Sequence, residues 1–190
     1  MTAKRRAALT AGLTLLLTSG CATTVSGSGT RAASLTGGQP STTATAGSGL
    51  VPYKGDHFTV SMPGTPSKSN EQISTAAGPT ALTLLTVEKG GNTFFVAYAD
   101  LPAGTPFDLN GAARGAAKNA KGQLADLKHL TYRGAAAVDF RIVNAGGSAT
   151  GFQRVLDVDD RLYELLAVVP GTDVQDPPTA YPAMRDSLTF

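Results

Sequence analysis

The stretch from Ala22 to Gly49 divides the chain, because it consists almost entirely of Thr, Ser, Gly and Ala and carries Arg31 as its only charge. Such a composition buries too little apolar surface to offset the entropy that is lost on ordering. Residues 21–49 are therefore predicted to form a flexible tether with a root-mean-square span of roughly 25–30 Å. This leaves residues 50–190 for a single globular domain of ordinary size.

Residues 1–20 have the order of an export signal, which is a cationic start, an apolar run and small residues. Here Lys4–Arg6 precede the apolar run Ala7–Leu17, and Thr18–Gly20 follow it. An apolar run of this length covers about 16 Å as a helix, roughly half of a hydrocarbon core. The run is therefore expected to be removed with the signal rather than to remain as a membrane span.

The residues around the only cysteine decide what kind of signal this is. Leu17-Thr18-Ser19-Gly20-Cys21 resembles a lipobox, although the position of Thr18 is usually Leu, Val or Ile. The resemblance implies cleavage between Gly20 and Cys21, with a diacylglyceryl lipid (and palmitate) on Cys21. Two acyl chains anchor a protein stably, and lipidation explains a lone exported cysteine. The alternative is an ordinary cut after Ala22, which would release a secreted protein.

The charge of the expected mature chain argues against nucleic acid as a partner. Sixteen Lys and Arg face fourteen Asp and Glu in the whole chain, and Lys4, Arg5 and Arg6 leave with the signal. Thirteen basic and fourteen acidic side chains then remain, whereas phosphate binding needs clustered cations.

The first half of the domain predicts strands and one helix. Strands are expected at His57–Met62, Thr80–Glu88 and Thr93–Ala99, and the last is apolar on both faces, as in a central strand. A helix should follow, with Thr105 as N-cap, a proline at its first position and Asp108 near its positive end. Gly122 is expected to stop it.

The second half predicts further strands and a short helix. Ala136–Ile142 alternates, so one face is expected to be solvent-exposed, and Gly151–Val158 and Arg161–Val169 should form a hairpin. The second strand of that hairpin is again apolar on both faces. A closing helix is expected from about Pro182 to Ser187. The fold class is thus α+β, with a central antiparallel sheet of about six to seven strands and one main and one short C-terminal helix packed on it.

The domain also resembles a family of bacterial extracytoplasmic domains. The opening His57-Phe58-Thr59-Val60-Ser61-Met62-Pro63-Gly64-Thr65-Pro66 is similar to the family pattern F-x-V-x-F-P-G-x-P. Phe95–Pro102, Asp160–Tyr163 and Asp186–Leu188 match further parts of it. The family is similar in fold to PsbP, so the resemblance implies a PsbP-like α/β/α sandwich over residues 56–190. It implies a place in the cell envelope and no reaction.

Three groups of side chains are candidates for sites. His57 and His129 are the only histidines and lack the carboxylate pattern of a metal site, so both are expected at the surface. Asp157, Asp159 and Asp160 fit a hairpin turn better than a calcium loop. One stripe of the predicted helix carries Arg114, Lys118 and Lys121. It is either a contact surface for anionic lipid or for an acidic partner, or it is simply a solvated face.

The motifs of enzymes are not found in the sequence. No serine stands in Gly-x-Ser-x-Gly, and Gly146-Gly147-Ser148 lacks the lysine of a phosphate loop. The expectation is a non-enzymatic binding module without cofactor, held at the extracytoplasmic face of the bacterial cell membrane by Cys21. Its partner would be an envelope protein or a cell-wall component. A carrier of a small apolar ligand in a sheet–helix cavity is the alternative, and a hydrolase is a third possibility.

Overall fold

The computed structural model of the protein describes residues 49–75, 78–104 and 107–190. The predicted signal, Gly20, Cys21 and nearly all of the tether lie outside these ranges. The described strands are β1 Val51–Lys54, β2 Thr59–Met62, β3 Ser67–Thr75, β4 Gly78–Lys89, β5 Asn92–Asp100, β6 Gln123–Tyr132, β7 Ala135–Ala145, β8 Ala149–Val158 and β9 Arg161–Pro170. The helices are α1 Leu109–Asn119 and α2 Ala180–Asp186.

A seven-stranded antiparallel sheet with the order β3-β4-β5-β9-β8-β7-β6 forms the body of the domain. The predicted α+β class, with two helices on a large antiparallel sheet, is confirmed. The two stretches that are apolar on both faces, β5 and β9, are neighbours at the centre of this sheet. A central strand has no free edge and packs on both sides, which explains their composition.

The first predicted strand lies outside the main sheet, which corrects the expectation. It is β2, and it pairs with β1 in a separate two-stranded sheet. Phe58, Val60 and Met62 from this hairpin are buried in the largest core cluster. The alternation was therefore read correctly as one buried face, but that face packs onto the sheet instead of extending it.

The two helices cover opposite faces of the main sheet. On one face, Tyr181 and Met184 of α2 join the β1–β2 hairpin over β5, β8 and β9. On the other face, Ala113 and Ala117 of α1 pack against β7 and β8. The small alanine side chains let the helix approach the sheet closely, and the apolar face of the helix is buried against the sheet.

The polar face of β7 is not solvent-exposed as its alternation predicted. Arg141 is buried and donates hydrogen bonds to Asp126 (2.8 Å) and Asp173 (2.9 Å). Asp139 accepts two hydrogen bonds from Arg154, at 2.6 and 2.7 Å. Alternation identified the two faces, but paired charges cover the second face and exclude water.

Helix α1 begins later and ends earlier than predicted. Its N-cap is Asp108, which makes no side-chain cap hydrogen bond, and Thr105 lies outside the described residues. Lys121 takes the left-handed conformation after the helix (φ 50°), while the Gly122 N–H donates to Ala117 O. This is a Schellman ending with a lysine at the position that usually holds glycine. A Cβ on Gly122 would lie 2.6 Å from Ile142 Cγ2, so this glycine is needed for close approach.

Helix α2 starts at Ala180, two residues before the predicted Pro182. A proline in the first turn removes no intrahelical hydrogen bond, because the first N–H groups of a helix have no partner there. Pro182 therefore lies within the helix without breaking it.

Candidate functional site

A cleft of about 1000 Å³ opens at one end of the main sheet. It lies where β5 and β8 end, where β7 and β9 begin, and beside the β1–β2 and β6–β7 turns. Its lining is mixed in charge and partly aromatic, and consists of His57, Asp100, Arg133, Gly134, Ala135, Ala136, Asp157, Val158, Asp159, Arg161, Tyr163 and Phe190. The hairpin turns and strand ends of both halves of the sheet therefore meet at this cleft.

Two of the charged groups in the cleft neutralise each other. Arg161 and Asp100 are cross-strand partners at the ends of β9 and β5, and the Arg161 guanidinium donates a short hydrogen bond to the Asp100 carboxylate. This bond raises the pKa of Arg161 above its usual range. Arg161 also donates to the backbone oxygen of Asp56. The pair ties the hairpin β1–β2 to the sheet and leaves neither charge free.

Aromatic rings form one wall of the cleft. The ring of Phe190 stacks on that of Tyr163, with centroids 6.1 Å apart and planes at 24°, and Phe58 meets Tyr163 edge-on at 5.4 Å. Tyr163 is only 2% exposed, and burial raises the pKa of its hydroxyl. Phe190 is 41% exposed, the only large apolar side chain so exposed in the described residues. Its ring is the apolar surface that this wall offers to a ligand.

Backbone contacts fix the position of Phe190. Thr189 forms a two-way backbone bridge with Thr59 at 2.9 Å in each direction. The Tyr132 hydroxyl lies 2.9 Å from the Leu188 carbonyl oxygen and can donate to it. The segment is therefore held against β2 and β6, and the Phe190 ring is carried on a fixed backbone.

Asp157 carries an unsatisfied polar atom at the cleft. Its Oδ1 is buried without a hydrogen-bond partner, the only such side-chain atom in the described part of the chain. Burial raises the pKa of the carboxyl, and the nearby carboxylates of Asp160 and Asp159 raise it further. An acid without a donor or counter-charge costs stability, so its retention here marks the cleft as a candidate site.

Four non-glycine residues at this end hold the left-handed backbone conformation. They are His57 (φ 62°), Arg133 (51°), Asp159 (49°) and Asp160 (62°). Asp160 has a structural task, because its Oδ1 accepts the Gly104 N–H at 3.0 Å and its carbonyl accepts the Leu101 N–H. Arg133 with Gly134, and Asp159 with Asp160, are the two-residue turns of the β6–β7 and β8–β9 hairpins. Such turns require positive φ at both central residues, so the turn type explains these conformations.

Gly49, the first described residue, lies at the other end of the sheet. Lys89 Nζ donates to the Gly49 carbonyl (3.2 Å) and to the Pro63 carbonyl (2.9 Å), next to the β4–β5 turn. Strand β5 runs from that turn to Asp100 in the cleft, a distance of roughly 25–30 Å. Gly49 and the cleft are thus at opposite ends of the domain.

A second perturbed acid lies in the sheet and not in the cleft. Glu164 in β9 is 3% exposed, and its carboxyl accepts a short hydrogen bond from the Gln153 amide of β8. Burial raises its pKa to about 8, and the Gln153 hydrogen bond opposes this only in part. Glu164 therefore carries its proton at pH 7, and it is not part of the cleft lining.

Of the predicted site residues, His57, Asp157 and Asp159 line the cleft, whereas His129 and the three cations Arg114, Lys118 and Lys121 lie away from it. Arg114 and Lys118 are exposed on α1, and Arg114 pairs loosely with Asp108 at 3.4 Å. Lys121 lies beyond the helix end, so the three cations do not form a single helix stripe as predicted. His57 and His129 are both exposed, as expected. Lipidation of Cys21 and cleavage after Gly20 fall outside the described residues.

The sequence did not single out Arg133, Arg161 or Phe190. The dipeptide Arg133-Gly134 is a hairpin turn with both residues at positive φ, and the glycine was the available signal. Asp159-Asp160 was predicted as the β8–β9 turn, which is confirmed, but its place in a cleft depends on the crossover that brings β5 beside β9.

In the described ranges, helices are too short and too polar to cross a bilayer. The same ranges hold no group of three or more His, Cys, Asp or Glu side chains arranged for a metal ion. A comparison with protein-family models gave no match, and neither did a comparison with curated proteins.

Proposed function

We propose that this protein is a non-enzymatic binding module of the bacterial cell envelope, anchored through lipid on Cys21, and that its ligand or partner enters the sheet-end cleft. The observation that carries the proposal is the cleft itself. It combines about 1000 Å³ of space, an exposed aromatic ring and one buried carboxyl oxygen, Asp157 Oδ1, without a hydrogen-bond partner. Ligand sites are concave, partly apolar and supplied with a few convergent polar groups.

The place of the cleft keeps it clear of the tether. An anchor before Gly49 would attach at the Lys89 end, whereas Phe190 and Arg133 lie at the opposite end. The tether therefore does not cover the cleft, which stays open to an envelope protein or a cell-wall component.

Site-specific photocrosslinking in intact cells tests the proposal. A photoreactive phenylalanine analogue replaces Phe190 in one variant and Asn92, at the β4–β5 turn, in a matched control. We expect a specific crosslinked product from position 190 and not from position 92. Equal background labelling at both positions would contradict a binding role for the cleft.

The anchor has a test of its own. The variant Cys21→Ala should lose the diacylglyceryl group by mass spectrometry and leave the membrane fraction. Ser19→Ala, which changes a small residue beside the cleavage point and keeps the cysteine, serves as control. A Cys21→Ala protein that stays membrane-bound would refute the anchor.

The carrier of an apolar ligand receives less support from the packing. Such a ligand would lie between α1 and the sheet, where Ala113 is fully buried and Ala117 is 5% exposed against Val138 and Phe140. The helix would have to move away from β7 to admit a ligand. Binding of a fluorescent apolar dye that survives substitution of Phe190 would favour this alternative.

We also propose that the domain is a PsbP-like α/β/α sandwich. The support is the opening motif on β2 and the helices on both faces of the antiparallel sheet. An experimental structure whose strand order differs from that of PsbP would refute the assignment.

A further inference from the structure

We propose that the free edge of β3 binds an extended segment of another protein, which adds to the sheet as an antiparallel strand and carries a basic residue followed three positions later by an acidic one. The inference concerns a surface other than the cleft, and it goes beyond the binding role proposed above because it names the partner as a polypeptide and gives its charge pattern.

The two edges of the main sheet differ in how open they are to a further strand. One edge is β6, which is interrupted by the bulge between Ala125 and Lys128, and bulges are one means by which proteins prevent pairing at an edge. The other edge is β3, which pairs with β4 in an unbroken register from Ser67 to Thr75, without a bulge or a proline. β3 therefore presents about 30 Å of regular strand, and its outer side pairs with no other described strand.

Contacts on its inner side hold β3 in place before any partner binds. Thr83 Oγ1 donates a hydrogen bond to Asn70 Oδ1 at 3.0 Å, and Ser67 Oγ donates to the Thr86 carbonyl oxygen at 3.3 Å. Ile73 is only 4% exposed and belongs to a core cluster with residues of β4 and β5. A strand that is already fixed loses little conformational entropy on binding, and strand addition to such an edge is a common mode of peptide recognition.

Two exposed charges on β3 set what a partner must carry. Lys68 and Glu71 are both exposed, and neither forms an ion pair with a described residue. Successive side chains of a strand point to alternate faces, so these two, three positions apart, point to opposite faces of the sheet. Each charge is therefore available to a different side chain of an added strand.

The charge pattern of the partner follows from the pairing rules. Residues directly opposite each other in an antiparallel pair share a face, where opposite charges stabilise the pair and like charges destabilise it. Along an antiparallel partner, the residue opposite Glu71 comes first and the residue opposite Lys68 comes three positions later. The complementary segment is therefore basic-x-x-acidic in the direction of its own chain.

The protein itself does not supply this segment. Residues 1–48 contain no acidic side chain, so the chain before the domain lacks one half of the pattern. A second copy of β3 has the order Lys68-Ser69-Asn70-Glu71, but a two-fold axis perpendicular to the sheet brings together side chains of the same face. Lys68 and Glu71 point to opposite faces and cannot pair in such a dimer. The pattern therefore points to a different protein as the partner.

Three nine-residue peptides with acetylated and amidated ends test the proposal. Each alternates Thr and Val except at its fifth and eighth positions, which would lie opposite Glu71 and Lys68. These positions hold Lys and Glu in the matched peptide, Glu and Lys in the reversed peptide, and Gln twice in the neutral peptide. Titrated by amide NMR into the full chain carrying Cys21→Ala, the matched peptide should shift the amides of β3 and bind about tenfold more tightly than the reversed one.

Variants of the two charges assign the preference. Lys68→Glu combined with Glu71→Lys should reverse it, so that the reversed peptide binds more tightly than the matched one. Lys68→Gln combined with Glu71→Gln should make the three affinities equal. Lys128→Gln, at an exposed cation of the bulged edge, should leave the preference unchanged. Circular dichroism should show the native spectrum for all of these variants, because the altered side chains are exposed.

Hydrogen exchange checks that the edge is free. The β3 amides that point away from β4 should exchange rapidly in the free protein and become protected when the matched peptide binds. Protection of these amides before any peptide is added would show an occupied edge and would overturn the proposal. Equal affinity of the wild type for the matched and reversed peptides, or shifts at β6 in place of β3, would overturn it as well.

The outcomes separate this inference from the proposed function. A failure of all three peptides to bind, together with a specific crosslinked product from position 190, would overturn the strand addition and support the cleft. The expected peptide preference, together with equal labelling at positions 190 and 92, would support the strand addition and overturn the role of the cleft.

Discussion

The buried acid Glu164 makes the stability of the domain depend on pH. Its carboxyl lies between β8 and β9 with the Gln153 amide as its hydrogen-bond donor, and its pKa is about 8 against 4.5 for an exposed glutamic acid. The folded protein thus holds a proton that the unfolded chain releases. We expect Glu164→Gln, which is neutral at every pH and still offers an amide oxygen to Gln153, to remove this dependence.

The sign and size follow from the two pKa values. Because the folded pKa is the raised one, the contribution is fully present below pH 4.5 and is lost as the pH rises through about 8. Each pH unit between these limits removes about 1.4 kcal/mol, so the contribution of Glu164 to stability should fall by about 3 kcal/mol between pH 5 and pH 7. That is a large part of the 5–15 kcal/mol typical of a domain.

Urea denaturation followed by circular dichroism at pH 5, 6, 7 and 8 measures the effect. The difference in unfolding free energy between wild type and Glu164→Gln cancels the titration of all other groups. It should grow by about 3 kcal/mol from pH 5 to pH 7 in favour of the glutamine. Glu88→Gln, at an exposed carboxylate of β4, should show no such growth. Parallel pH profiles for wild type and Glu164→Gln would refute the assignment of a protonated acid.

Three further predictions concern packing and charge, and thermal or urea unfolding checks each. Lys121→Gly should stabilise the domain by about 0.5 kcal/mol, because glycine takes the left-handed position after α1 without strain; a loss of stability would contradict the Schellman ending. Gly122→Ala should cost about 1–3 kcal/mol, because its Cβ would lie 2.7 Å from the Val143 carbonyl oxygen, and an unchanged midpoint would show that the backbone yields. Arg154→Ala should cost about 3 kcal/mol, because it leaves Asp139 with only the Arg185 contact at 3.4 Å, whereas Arg114→Ala at the exposed pair with Asp108 should cost less than about 0.5 kcal/mol.

The sequence predicted the strands that bury side chains and missed those that do not. β5 and β9 were identified because both faces are apolar, and β8 with β9 because a polar turn joins them. The edge strand β3, with the sequence Ser-Lys-Ser-Asn-Glu-Gln-Ile-Ser-Thr, is mostly exposed and carries no periodic signal. The edge strand β6 contains a bulge between Ala125 and Lys128, which interrupts its alternation.

The candidate site was harder to predict than the fold. Asp100 and Arg161 are 61 residues apart, and they meet only because β9 inserts beside β5. Local patterns do not reveal such a crossover. The Asp157 to Asp160 segment was correctly read as a strand end and turn. Its place in the lining of a cleft depends on the β6–β7 turn and on Phe190, which long-range pairing brings there.

The strand order also has a consequence for folding. β3, β4 and β5 form one meander from neighbouring segments, β6 to β9 form another, and the β5–β9 pairing alone joins them in the sheet. Local meanders close small loops quickly, whereas the β5–β9 pairing must close a loop of 61 residues between Asp100 and Arg161. We therefore expect each meander to form early and the β5–β9 joint to set the folding rate. Asp100 and Arg161 are the last pair of that joint, so the cleft is completed by the same step that makes the domain one cooperative unit.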